Sequence, residues 1–200
     1  MTDEIELARR LIAGDSSALD EFIGAFRGKV FQYSFLMCGQ REDAEEVAQE
    51  TLLKVFEHFD QLREPEHIRA WVFRIAKNVC SMRRRKSVFA PQEEISLDEL
   101  KPNWRGDGDE RRLEIADWTA LPEDLAARRQ MTNLLRSAIA DLPEIYKSVI
   151  LLRDVEELST QQAADILEVT EDVIKTRLHR ARLAVRQKLD AALRTAQEVA

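Results

Sequence analysis

Two stretches of this 200-residue sequence carry basic side chains and not a single acid. Residues 67–86 contain seven Lys and Arg, and residues 173–188 contain six. Clustered positive charge on one element is what phosphate contacts to nucleic acid require. For one stretch alone, a solvated basic helix face would explain the charge. Two stretches far apart in the sequence favour two separate nucleic-acid contacts.

Aromatic residues lie among the charges of the first stretch. An exposed ring can stack on an unpaired base for about 1–3 kcal/mol, so aromatic and basic residues together suit an opened nucleic-acid strand. Helical spacing places Trp71 on the inner face of a helix and leaves Phe73 undecided between core and surface. The sequence therefore indicates a single-strand contact here, with core packing of both rings as the alternative.

The second stretch belongs to a short helix, a tight turn and a longer basic helix. Ser159 and Gln162 have the spacing of a capping box, and Thr170 can cap the second helix. This is the helix-turn-helix pattern, whose second helix enters the major groove of duplex DNA. The exposed residues predicted for that groove are Glu171, Asp172, Lys175, Thr176, His179 and Arg180. The residues predicted for phosphate contacts are Arg177, Arg182, Arg186 and Lys188.

The segment before the first basic stretch is acidic. Residues 41–66 hold nine acids against three bases, and the spacing predicts a helix from about Glu42 to Phe59. A charged face is commonly just solvated, but an acidic helix next to a basic one favours two different partners on two surfaces. The predicted apolar stripe of this helix consists of Ala44, Val47, Ala48, Leu52, Val55, Phe56 and Phe59.

Apolar periodicity predicts helices throughout both halves of the chain. In the first half, Gly14 and Gly39 end the first two helices, and Pro65 opens the helix that carries the first basic stretch. In the second half, Pro143 separates two helices that precede the helix-turn-helix. Six Gly and five Pro in 200 residues are too few for the many turns of a sandwich or barrel. We therefore expect an all-α fold.

The net charge of −7 belongs to one part of the chain. Residues 1–86 sum to −1 and residues 127–200 to +1, whereas residues 87–126 sum to −7. This middle part also holds Pro and Gly and no sustained apolar period, which is typical of a flexible linker. Short helices anchored by Trp104 and Trp118 are the alternative. The predicted organisation is two small helical domains, 1–86 and 127–200, joined by an acidic linker over 87–126.

Other classes of protein find little support in the sequence. No apolar run approaches the length of a membrane span, so no membrane insertion is expected, and the acidic N-terminus lacks the apolar core of a signal peptide. The sequence shows no Gly-rich phosphate loop, no paired nucleophile and base and no cluster of metal ligands, so we expect no enzyme, no cofactor and no metal. Cys38 and Cys80 do not make a disulfide framework, which favours the cytoplasm. Both fall near apolar helix faces, which favours buried structural thiols over oxidant sensors.

Three segments together resemble the small, two-domain extracytoplasmic-function group of bacterial sigma factors. The region that binds core RNA polymerase is similar to residues 41–56, REDAEEVAQETLLKVF. The region that melts and reads the downstream promoter element is similar to residues 69–86, RAWVFRIAKNVCSMRRRK. The C-terminal DNA-binding domain looks like residues 142–182, LPEIYKSVILLRDVEELSTQQAADILEVTEDVIKTRLHRAR. The joint order of the three is more specific than any one of them.

The resemblance implies a dissociable sigma subunit that recognises the −35 element as duplex and the −10 element as a melted strand. The polymerase-binding residues would be Asp43, Glu46, Gln49, Glu50 and Lys54. The downstream-element residues would be Phe73, Arg74, Lys77, Asn78, Arg83 and Arg84. The upstream-element residues would be Glu171, Lys175, Thr176, Arg177, His179, Arg180 and Arg182. The implied partners are core RNA polymerase, promoter DNA and a cognate anti-sigma factor.

Two departures from the family pattern bear on the upstream readout. The family commonly has a small residue where Glu168 stands in the turn. Glu171 and Asp172 are unusually acidic for a recognition helix, and compensation of the helix dipole is an alternative role for them. A stand-alone helix-turn-helix regulator, with the first half as a sensor or dimerisation domain, is the alternative function. Such a regulator has no need of an acidic helix followed by an aromatic and basic one.

Overall fold

The structure, a computed structural model, describes residues 2–86 and 125–198, with side chains over 4–83 and 129–194. These residues form eight α-helices and no strand, which confirms the all-α prediction for the described part of the chain. The predicted linker, apart from residues 125 and 126, lies outside the described residues, as do Trp104 and Trp118. The first four helices are α1 (Thr2–Ile12), α2 (Ala18–Cys38), α3 (Arg41–Glu57) and α4 (Ile68–Lys86). The second four are α5 (Leu125–Ala140), α6 (Glu144–Ile150), α7 (Thr160–Leu167) and α8 (Glu171–Glu198).

Glycines follow α1 and α2, as the sequence predicts. Gly14 and Gly39 have φ of 89° and 80°, and the Gly39 N–H donates to Phe35 O at 2.9 Å. A left-handed residue costs little at glycine, so the chain turns sharply into the next helix. Pro65 then opens a 3₁₀ turn, Pro65–His67, that leads directly into α4.

Aromatic rings join α2 to α4 in the core of the first half. Phe59 packs edge-on against Phe22 of α2 and Trp71 of α4, with ring centroids 5.6 and 6.0 Å apart. Tyr33 of α2 meets Phe73 of α4 at 5.5 Å, and both rings are fully buried. Burying a side chain of this size contributes about 1.5–3 kcal/mol. Apolar packing therefore fixes the helix that carries the first basic stretch.

The helix-turn-helix α7–α8 forms through the predicted caps. Ser159 Oγ accepts from Gln162 N at 3.0 Å, and Gln162 Oε1 accepts from Ser159 N at 2.9 Å. Glu168 ends α7 with φ 57°, the left-handed conformation that a small residue commonly supplies, at a cost of about 1–2 kcal/mol. The Val173 N–H donates to Thr170 Oγ1 at 3.4 Å at the start of α8. The apolar stripe of α8 is buried throughout: Ile174, Leu178, Ala181, Val185 and Leu189.

The two halves of the described chain lie against each other. Helix α7 packs on α4, while α5 and α6 pack on α2, and the buried apolar residues of both halves form one continuous core. A π-helical turn, Leu151–Val155, continues α6 and brings Glu156 to this contact. The Glu156 carboxylate lies 3.7 Å from the guanidinium of Arg69 on α4.

One position predicted for the apolar core is exposed instead. Phe56 has 59% of its surface accessible. Solvent reaches this ring because the neighbouring helices cover a narrower stripe of α3 than the full apolar period of the sequence.

Candidate functional surfaces

The predicted polymerase-binding residues form one exposed face of α3. The side chains of Glu46 and Glu50 are 59% and 46% exposed, and Gln49 is exposed between them. Lys54 Nζ lies 3.6 Å from Glu50 Oε1, one helical turn away. Asp43 is half-buried at the start of the same face. The geometry gives an acidic strip that a basic protein surface can contact.

Exposed apolar side chains lie next to this acidic strip. Leu53 and Phe56 of α3 are 56% and 59% exposed, and Ile23 of α2 is 36% exposed. Phe56 and Ile23 line a groove of about 280 Å³ between α1, α2 and α3. Sequence reasoning missed this patch because it assigned Phe56 to the core. Val55 and Phe56 differ by about 100° around the helix axis, and only Val55 is buried.

Arg83 connects the acidic face of α3 to the basic helix α4. Its Nε donates to Asp43 Oδ1 at 2.9 Å, and its Nη1 pairs with Glu46. The hydrogen bonds to Asp43 and Glu46 raise the pKa of the Arg83 guanidinium above its ordinary value. The structure thus brings a residue predicted for the downstream element together with two predicted for polymerase binding. Arg83 is held on the acidic face rather than pointing freely from α4.

The remaining downstream-element residues separate into exposed and buried positions. Arg74 and Asn78 are exposed, and Lys77 is half-buried. Phe73 is 0% exposed, so the prediction that it contacts DNA is corrected: a ring packed against Tyr33 is not available to stack on a base. The side chain of Arg84 lies outside the described residues.

The predicted upstream-element residues occupy the first three turns of α8. The exposed ones are Glu171, Lys175, Thr176, His179, Arg180 and Arg182. Arg177 is half-buried. Lys175 Nζ lies 3.2 Å from Asp172 Oδ1, and the Arg182 guanidinium donates to both Asp154 oxygens at 2.6 and 2.8 Å. These hydrogen bonds raise the pKa of Arg182 above its ordinary value. The exposed segment has the length of about one major-groove contact.

The basic helix α4 faces α7 of the helix-turn-helix. Lys77 Nζ lies 3.8 Å from Glu168 Oε1 in the turn of the helix-turn-helix. Arg74 lines a shallow cleft together with Asp165 and Glu168. Asp165 and Glu168 therefore lie beside the part of α4 that was predicted to follow an opened strand, while Arg74 and Asn78 stay exposed.

A buried cluster of four charges lies beside this contact and was not anticipated. Glu4 and Glu156 are only 6% and 3% exposed, and Arg69 lies 3.2 Å from Glu4 and 3.7 Å from Glu156. Lys29 also pairs with Glu4. Desolvation raises the pKa of Glu156 to about 7, against the opposing effect of Arg69 and Lys29. The sequence signal was spacing, since Glu156 follows Val149, which is buried, by seven residues.

Other kinds of site find no counterpart in the described residues. No group of three or more His, Cys, Asp or Glu within 4–83 and 129–194 could hold a metal ion. No helix in the described ranges is both long and apolar enough to cross a membrane.

Comparison with known proteins assigns both halves of the chain. The family profile described as Sigma-70 region 2 matches residues 22–88, and the profile described as Sigma-70, region 4 matches residues 132–185. The extracytoplasmic-function RNA polymerase sigma factor SigW of Bacillus subtilis is 29% identical over 178 residues, 88% of this chain and 91% of the relative. The sigma-E factor of Haemophilus influenzae is 25% identical over 189 residues, 94% of this chain and 96% of the relative.

Two solved structures share the fold. CnrH, in complex with the cytosolic domain of CnrY, has a TM-score of 0.61 at 20% identity and covers 94% of this chain and 98% of its own. The sigma factor RpoE of Bartonella quintana, in complex with the anti-sigma factor NepR, has a TM-score of 0.58 at 20% identity and covers 86% of this chain and 96% of its own. With region 2 on α2–α4, region 4 on α5–α8 and relatives aligned along almost the whole length, the chain belongs to the extracytoplasmic-function sigma factors.

Proposed function

We propose that this sigma factor divides its work among three surfaces: an acidic one on α3 for core RNA polymerase, a basic one on α4 for the melted −10 strand, and the start of α8 for the −35 duplex. The observation that carries the proposal is the separation of charge by element. Acidic side chains line the exposed face of α3, while α4 beyond Ile68 and the recognition segment beyond Asp172 carry basic residues without acids.

The polymerase contact rests on the exposure of the α3 face. Charge complementarity gives specificity and speeds association, so a strip containing Glu46 and Glu50 favours a basic partner surface. Leu53 and Phe56 add apolar area beside the strip, as in the mixed core of a protein–protein contact. The Arg83 pairs with Asp43 and Glu46 hold this face against α4.

The two DNA contacts rest on exposed cations with different surroundings. Arg74, Lys77 and Asn78 follow one side of α4 and suit the phosphates and base edges of a single strand. Lys175 and Arg180 project from the first turns of α8, where a recognition helix reads base edges in the major groove. Reading two elements then requires the two halves of the chain to separate, because Glu168 now lies against Lys77.

An anti-sigma factor is the proposed regulatory partner. The two solved structures described above were each determined with a bound partner, which is named as an anti-sigma factor for RpoE. We propose that such a partner holds this chain in an arrangement like the one seen here, with α7 over the basic face of α4. The proposed compartment is the cytoplasm, where polymerase acts, and the proposed role is that of a regulatory subunit without catalysis of its own.

Reconstituted transcription tests the proposal directly. The full chain, mixed with core RNA polymerase from a bacterium and a library of promoter fragments, should direct initiation at a subset that shares two spaced elements. Core polymerase alone should not initiate there. Failure of the chain to bind core polymerase would overturn the proposal. Tight and specific binding of duplex promoter DNA by the free chain would favour the stand-alone regulator instead.

A further inference from the structure

Two cysteines that are far apart in the sequence lie side by side in the first half of the fold. Cys38 Sγ and Cys80 Sγ are 3.9 Å apart, although 42 residues separate them in the chain. The two are not joined by a disulfide. A disulfide has an S–S length of about 2.0 Å, so bond formation needs the sulfurs to approach by roughly 2 Å.

The cysteine pair lies where α2 ends on α4. Tyr33 of α2 and Phe73 of α4 are in contact one to two helical turns before the cysteines, so the two helices run in the same direction towards the pair. Cys38 is the last residue of α2, directly before the left-handed Gly39. An end residue next to a turn can adjust more readily than one in the middle of a packed helix.

The two thiols differ in access to solvent. Cys38 is partly exposed, whereas Cys80 is 1% exposed and faces the core. A small oxidant in solution therefore reaches Cys38 first, and Cys80 is positioned behind it. Redox-active cysteines have this arrangement of an accessible thiol next to a second thiol that resolves the first oxidation product.

We propose that Cys38 and Cys80 are a peroxide-oxidisable dithiol, with Cys38 as the reacting thiol and Cys80 as the resolving thiol. The Cys38 thiolate attacks a peroxide oxygen, an S–O bond forms, and the O–O bond breaks to release water or an alcohol. The Cys80 thiolate then attacks the Cys38 sulfenic sulfur, the S–S bond forms, and the hydroxyl group leaves as water after taking up a proton. In total two thiols lose two electrons, and one peroxide is reduced.

The position of the pair links this chemistry to the proposed function. Cys80 lies one helical turn before Arg83, which binds Asp43 and Glu46 of the acidic face. Cys38 lies at the turn that leads into α3. A bond between the two sulfurs would shift the end of α2 relative to α4 and so disturb the presentation of α3.

Peptide mapping after mild oxidation tests the chemical part of the proposal. The full chain is treated with hydrogen peroxide, alkylated and digested without reduction. We expect a linked peptide pair containing Cys38 and Cys80, with the intact monomer lighter by two hydrogen atoms and restored by dithiothreitol. Absence of the linked pair, or links only between different molecules, would overturn the proposal, and this measurement needs no variant.

Two variants assign the roles of the thiols. In Cys80→Ala, peroxide should leave a sulfenic acid on Cys38 that a cyclic diketone traps. In Cys38→Ala, Cys80 should stay reduced at the same peroxide concentration, with circular dichroism confirming that each variant is folded. Oxidation of Cys80 in Cys38→Ala at the rate seen in the unmodified chain would reverse the assignment.

The regulatory consequence rests on the proposed function and is measured separately. Oxidised chain should bind core polymerase more weakly than reduced chain, and dithiothreitol should restore binding. Peroxide-treated Cys38→Ala should bind like the reduced protein. Equal binding by oxidised and reduced chain would remove the regulatory role, whereas failure of the reduced chain to bind would count against the proposed function itself.

Discussion

Arg69 of α4 and Glu156 at the end of the α6 extension meet across the two halves of the chain, with Nη2 3.7 Å from Oε2. The Glu156 side chain is almost fully buried, so its carboxylate has exchanged water for Arg69, Lys29 and Glu4. Burying charge is unfavourable unless the pairing is very good, and one cluster with two acids and two bases compensates only in part. The pKa of Glu156 is therefore raised to about 7, because the effect of burial exceeds the opposing effect of Arg69 and Lys29.

We call the arrangement in which the two halves of the chain lie against each other the closed state, and their separation the open state. The Arg69–Glu156 contact makes the balance between the two states depend on pH in a defined direction. Separated from the first half, Glu156 regains water and the ordinary pKa of a glutamate. The closed state therefore binds a proton that the open state releases between the ordinary glutamate pKa and about 7. Closure is favoured at low pH and loses that contribution, at most about 3 kcal/mol, as the pH rises through 7.

We expect the free chain to open as the pH increases from about 5.5 to 8.5, because this interval includes the Glu156 pKa of about 7. Small-angle scattering should show a larger radius of gyration at the higher pH. Glu156→Gln, which cannot ionise, should stay compact at both. The matched control is Glu57→Gln at an exposed position on α3, outside this charge cluster, which should behave like the unmodified chain. If Glu156→Gln opens with pH as the unmodified chain does, Glu156 does not control closure.

Charge reversal on the α3 face should weaken binding to core polymerase. Glu46→Lys with Glu50→Lys places like charges against a basic partner, and we expect a loss of about 100-fold in affinity. Fluorescence titration of labelled chain with core polymerase measures it. The control is Asp20→Lys with Asp190→Lys, which changes the net charge equally at exposed positions on α2 and α8. Equal losses in both double variants would mean that net charge, not this face, governs the binding.

Phe73 should be important for stability rather than for DNA contact. Phe73→Ala leaves a cavity beside Tyr33 and should lower the free energy of unfolding by about 3–5 kcal/mol, measured by urea denaturation. Phe73→Leu keeps most of the buried volume and should retain promoter opening. Arg74→Ala, at the exposed neighbour, should do the opposite: unchanged stability and weaker opening. If Phe73→Leu is well folded and fails only at promoter opening, the Phe73 ring contacts DNA.

The sequence predicted the elements well because their signals are local. Gly39 and the Ser159–Gln162 capping box each act within a few residues, and the structure has both as expected. Phe56 and Phe73 show where local signals fail. Phe56 fits the apolar period of its helix, and helical spacing left Phe73 undecided between core and surface. Which of the two is covered depends on how closely α2 lies to α3 and α4.

Contacts between distant segments could not be predicted in this way. Arg83 was assigned to DNA by the resemblance to sigma factors, and nothing near it in the sequence indicates Asp43 as its partner. The Cys38–Cys80 approach and the Arg69–Glu156 pair likewise exist only because helices from different parts of the chain pack together. Residue type determines which interactions these side chains can make, and tertiary packing determines which residues they contact.

The start of α8 should read promoter sequence, which base substitution can resolve. Lys175→Ala in the holoenzyme should cost about 1–3 kcal/mol on the preferred −35 element and relax the preference at one or two adjacent base pairs, because a side chain that reads guanine O6 and N7 is lost. Arg194→Ala is the matched control, since it removes a charge from an exposed position on α8 roughly 28 Å further along the helix. Competition binding with single-base variants of the promoter measures both. A uniform loss across all variants, with a lower salt dependence, would make Lys175 a phosphate contact instead.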